Sequence, residues 1–104
     1  MIRQQDFTSI SAAALANAGS VCRWLLPNGR VVGAEYVAMN PHRDDKRLGS
    51  FKINLRTGRW ADFAVDDARG GDLISLVAWR CRLSQAKAAC LLASFLSIET
   101  GRPS

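Results

Sequence analysis

At 104 residues the chain has room for one ordinary domain, and 48% hydrophobic with 22% charged residues is the composition of a folding globular protein, which excludes a disordered or fibrous chain. Its apolar runs, 12–16 and 88–93, are far shorter than the ~20 residues that cross a bilayer, so no membrane partner is expected. Fourteen Lys and Arg against nine Asp and Glu leave a net charge of +5, in the range where polyanions become partners.

The N-terminus is polar and lacks a basic segment followed by an apolar stretch, so a cytoplasmic location is expected. Phe7, Ile10, Ala14 and Ala18 then recur at roughly helical spacing, with Gly19 as a break, and 7–26 reads as a helix followed by a short helical turn. Pro27-Asn28-Gly29 is a turn signal. The β-branched and aromatic stretches 30–32 and 36–39 after it predict strands.

The clearest local signal is a β-hairpin over 50–64, where alternating Phe51, Ile53 and Leu55 lead through Arg56-Thr57-Gly58 into Arg59-Trp60-Ala61-Asp62-Phe63. Its register matters, because a slip of one residue exchanges the two faces of a strand. A two-residue turn would set Ile53 opposite Asp62 and bury a carboxylate. A three-residue turn with Gly58 left-handed pairs Phe51 with Phe63, Ile53 with Ala61, Lys52 with Asp62 and Asn54 with Trp60. The second register is the expectation. It gathers the apolar residues on one face and leaves Lys52, Asn54 and Trp60 together on the other.

Residues 65–71 read as a loop, after which Asp72 caps a helix carrying Leu73, Ile74, Leu76, Val77 and Ala78. Ser84 caps a last helix to about Leu96 that is apolar nearly all round, and is therefore either sandwiched or part of an interface. Three cysteines, Cys22, Cys81 and Cys90, form neither an even set nor a C-x-x-C pair and are expected to be small core residues. The fold class is α+β: one domain, with a small antiparallel sheet over 30–64 flanked by helices over 7–26 and 72–97.

Tyr36-Val37-Ala38-Met39-Asn40-Pro41-His42-Arg43-Asp44-Asp45-Lys46, followed by Gly49-Ser50-Phe51, resembles the zinc-ribbon domain of bacterial and phage DNA primases. The resemblance extends through Trp60-Ala61-Asp62-Phe63-Ala64-Val65 and Ala68-Arg69-Gly70-Gly71-Asp72-Leu73-Ile74 to Leu83-Ser84-Gln85-Ala86, about two-thirds of the chain. All four metal ligands of that family are replaced, by Asn40, Arg43, Asp62 and Val65, and no thiolate or imidazole remains at those places. A lone imidazole at His42 is a poor ligand set. The resemblance therefore implies a zinc-less ribbon with no cofactor. A structural zinc supplies on the order of 10–16 kcal/mol in small peptides, so packing by the helices must replace it.

The resemblance also implies a template reader that lays single-stranded DNA across its sheet. Strands of this kind are held by cations along the backbone and by aromatics on which bases stack. The candidate nucleic-acid-binding residues are Arg43, Lys46 and Arg47 in the loop, Lys52, Asn54 and Trp60 on the outer face, and Arg56 and Arg59 at the turn. The competing reading places Trp60 in the core beneath the N-terminal helix and makes the basic loop an ordinary solvated one. Trp24 and Trp79 read as core anchors.

No catalysis is expected. Asp44-Asp45 and Asp66-Asp67 lack a third carboxylate, and a single His builds no nucleophilic triad. The expected role is a non-catalytic accessory of a primase-like replication system, of a plasmid, phage or integrating element, working with a separate polymerase, primase or helicase. The alternative is an adaptor that docks through its last helix on such an enzyme or on a second copy of itself.

Overall fold

The computed structural model describes residues 4–39, 51–63 and 65–100. The Ala-rich segment forms two helices rather than a helix and a turn, α1 (Gln4–Ala16) and α2 (Ala18–Leu25). The break falls at Asn17, two residues before Gly19. There the carboxamide Nδ2 donates back to the Ala13 carbonyl at 2.9 Å, and Asn17 leaves helical geometry at φ −122°.

Five strands follow, β1 (Arg30–Val32), β2 (Glu35–Ala38), β3 (Phe51–Asn54), β4 (Trp60–Asp62) and β5 (Val65–Gly70), joined in chain order as an antiparallel meander. The expected loop over 65–71 is thus mostly strand. Its sequence carries no alternation that would announce it; it is a strand through its backbone pairing with β4. The chain closes with α3 (Leu73–Cys81) and α4 (Gln85–Thr100), completing an α+β fold with helices flanking the sheet.

Asp72 caps α3 as expected, in a reciprocal box in which its carboxylate accepts from the Ser75 N–H at 2.7 Å. Arg82, at φ 57°, ends that helix in the left-handed conformation, and the Ser84 hydroxyl accepts from the Lys87 N–H to start α4. The helices cover one face of the sheet. Tyr36, Phe51, Ile53 and Trp60 project into it and share a single core with Val21 of α2, Leu76 and Val77 of α3, and Leu92 of α4. The Tyr36 hydroxyl donates to the Leu26 carbonyl at 2.6 Å, tying β2 to the end of α2.

Trp24 of α2 stacks on Phe95 of α4 with ring centroids 4.3 Å apart, and Trp79 packs on Phe51 at 5.1 Å. Both indoles anchor helices to the core. The apolar α4 buries Ala88, Ala89, Leu92 and Leu96 against α1 and α3, while Ala86, Cys90 and Leu91 remain exposed on its other side. Of the cysteines only Cys22 is a core residue, whereas Cys81 and Cys90 are exposed. Among the described residues no helix is long and apolar enough to cross a membrane.

Candidate nucleic-acid interface

The hairpin adopts neither register weighed from the sequence. Phe51 pairs with Asp62, Lys52 with Ala61 and Ile53 with Trp60, one residue away from the expected alignment. The cause lies in the turn. The Asn54 side-chain carbonyl accepts from the Arg56 and Thr57 N–H groups at 2.8 and 3.1 Å, which draws Leu55 into the connection and lengthens it to four residues. Asn54 and Arg59 close the loop through a 2.7 Å backbone bond, and Gly58 takes the expected left-handed conformation at φ +80°.

This slip turns β4 over. Trp60 is 4% exposed and lies inside, in an aromatic cluster with Phe51 and Trp79 at centroid distances of 5.9 and 5.2 Å. Its placement on the outer face beside Lys52 is therefore corrected. The competing core reading has the burial right but the wrong neighbour: the indole Nε1 donates to the Asp72 carbonyl at 3.1 Å and to the Ser75 hydroxyl at 3.0 Å, so it sits under the start of α3. A buried indole needs a partner for its N–H, and the cap of α3 supplies two oxygens. Asp62 also turns inward, 2% exposed and not without a partner. A carboxylate with a partner is thus accommodated in the interior of this sheet.

Phe63, expected in the core, is the residue that emerges, at 74% exposure. The Lys52 ammonium lies 5.7 Å from its ring centroid, within cation–π range. The register places Lys52, Asn54 and Ala61 on the outer face with Arg69 of β5, which pairs with Ala61. Glu35 and Val37 of β2 join them through pairing with Asn54 and Lys52, and Arg30 of β1 pairs with Val37. Val37 is nonetheless buried on this side, at 7% exposure, outside the core that the helices share with the opposite face. A shallow groove of about 620 Å³ crosses it, lined among others by Glu35, Lys52, Asn54, Arg59, Phe63 and Arg69.

Four of the candidate residues are therefore brought to this face or its rim. Lys52 and Arg59 line the groove, Asn54 lines it with its carbonyl committed to the turn, and Arg56 is exposed at the tip. Trp60 belongs to the core. Arg43, Lys46 and Arg47 lie outside the described residues, as do the replaced ligand positions Asn40 and Arg43. Among the residues whose side chains are described, which leave out Asp66 and Asp67, no carboxylate pairs with Arg30, Lys52, Arg59 or Arg69, and no three of His, Cys, Asp and Glu gather as a metal site.

Phe63, Arg69, Arg30 and Glu35 escaped the sequence reading. Alternation around Trp60-Ala61-Asp62-Phe63 suits either face, and Arg69 sits in a strand that only its partner reveals. The one readable signal was Asn54, whose type and place before Arg56-Thr57-Gly58 suit a side-chain-capped turn. No protein-family model, curated protein or solved structure matches the chain.

Proposed function

We propose that the chain binds single-stranded DNA across the outer face of its sheet, as a non-catalytic accessory of a primase-like replication system acting beside a separate polymerase, primase or helicase. The observation that carries this reading is Phe63, a 74% exposed ring under the Lys52 ammonium, in a groove flanked by Arg59 and Arg69. An exposed aromatic offers a stacking platform to an unpaired base, and unpaired cations track the phosphates on either side. A duplex hides its base faces and would leave the ring unused. The resemblance to primase ribbons supplies the replication context.

Fluorescence anisotropy with a labelled oligonucleotide tests the reading. If Arg30, Lys52, Arg59 and Arg69 neutralise four phosphates, log affinity falls with log salt at a slope of about −3, and a fourfold rise in salt weakens binding about fiftyfold. A duplex of the same length should bind more weakly. Absence of salt-sensitive binding at low ionic strength, or equal affinity for duplex and single strand, would overturn it.

A further inference from the structure

An acid interrupts the cationic groove. Glu35 lines it with its carboxylate, half-buried on β2 and paired across the ladder with Asn54 of β3. An anion at this place opposes phosphate binding, and no described cation neutralises it. Its neighbour is chemically one-sided as well. The Asn54 Oδ1 accepts from two backbone N–H groups, an arrangement only the carbonyl end of the carboxamide can make, so Nδ2 with its two N–H donors is the end left to a ligand. Adjacent strands thus present an acceptor-only group beside a donor-only group, the second held in orientation by the turn.

Resting on the single-strand reading above, we propose that Glu35 and Asn54 read a base and select guanine. The Watson–Crick edge of guanine places two donors, N2–H and N1–H, side by side and follows them with the O6 acceptor. The two donors match the two oxygens of one carboxylate, and O6 accepts from the Asn54 amide. Adenine and cytosine each offer one amino group beside a ring acceptor, and thymine offers one N–H between two carbonyls. None of these has two adjacent donors. On either side of β4, Phe63 and Arg59, the residue that closes against Asn54, are four residues apart, which is ~13 Å at strand rise. The base read by Glu35 therefore lies at the other end of the groove from the base stacked on Phe63, with Lys52 between them.

The test uses three labelled strands: all-dT, the same strand with one central dG, and the same strand with deoxyinosine there, which keeps N1–H and O6 but lacks the N2 amine. The protein should bind the dG strand about fivefold more tightly than the deoxyinosine strand, the low end for a bidentate base contact. Glu35→Gln should erase that difference and bind the all-dT strand more tightly, because an anion has left the groove. A variant that weakens all three strands alike would show a merely structural Glu35 and overturn the proposal. Equal, salt-sensitive binding of all three strands by the parent protein would overturn guanine selection while leaving the single-strand reading intact. Absence of salt-sensitive binding to any strand would overturn both.

Discussion

Truncating to alanine each of the two aromatics at the ends of β4, Trp60 within it and Phe63 just beyond, separates the roles that the register assigns them. Phe63 is 74% exposed, so only about a quarter of its side chain leaves water on folding. Complete burial of a phenylalanine contributes about 1.5–3 kcal/mol, and a quarter of that is ~0.4–0.8 kcal/mol. The exposed Lys52 contact adds about 0.5 kcal/mol. Phe63→Ala should therefore lower stability by about 1 kcal/mol, or a Tm shift of about 4–8 °C for a domain of this size. Its effect on binding should be larger, because a lost base-stacking platform is worth about 1–3 kcal/mol, roughly 5- to 150-fold in Kd. Trp60→Ala should reverse the pattern. It removes a buried indole packed on Phe51 and Trp79, and such truncations cost about 3–5 kcal/mol, a large part of the ~5–15 kcal/mol that holds a domain together. Thermal melting by circular dichroism and oligonucleotide anisotropy on the same samples read both quantities. A folded Phe63→Ala protein that binds single strands like the parent would refute the stacking argument, and a Trp60→Ala protein with the parental Tm would refute the register.

Two further expectations concern the core. A Cβ at Gly70 would lie 2.5 Å from the Trp60 Nε1 and would press on the Ser75 hydroxyl, so Gly70→Ala should displace the indole from the α3 cap and lose about 1–3 kcal/mol, seen as a lowered denaturant midpoint. Burial pushes the Cys22 thiol from its ordinary 9.0 up to about 12, against a smaller lowering by the Arg23 guanidinium. The folded chain therefore holds that proton more tightly than the unfolded chain. Its contribution is complete below pH 9 and is lost as pH rises toward 12, and Tyr36, also raised chiefly by burial, acts in the same direction. Denaturant midpoints should fall progressively above pH 9, less steeply in Cys22→Ala. A thiol reagent should modify Cys81 and Cys90 in the native protein and Cys22 only after unfolding; native reactivity at Cys22 would contradict its burial.

Much of the fold was legible in local chemistry. Asp72 and Ser84 marked two helix starts by residue type, Pro27-Asn28-Gly29 marked the turn into the sheet, and Gly58 marked the left-handed position of the β3–β4 turn. These signals act over one to four residues, the range in which a sequence pattern carries its own physical cause. The candidate site was legible only in part. Lys52, Asn54 and Arg59 were placed on or beside the correct face, whereas Trp60 and Phe63 exchanged places because a single extra residue in the turn inverts every side chain that follows it.

Residue types and spacing alone determined the α+β class, the helix caps and the concentration of cations around the hairpin. Which aromatic faces water was decided by tertiary structure, since the oxygens that accept the Trp60 N–H belong to Asp72 and Ser75, 12 and 15 residues away. β5 was decided the same way: Val65–Gly70 becomes a strand through backbone bonds to β4 rather than through any periodicity of its own. Alternation reports that a strand has two faces. Only the partners packed against it determine which face is buried.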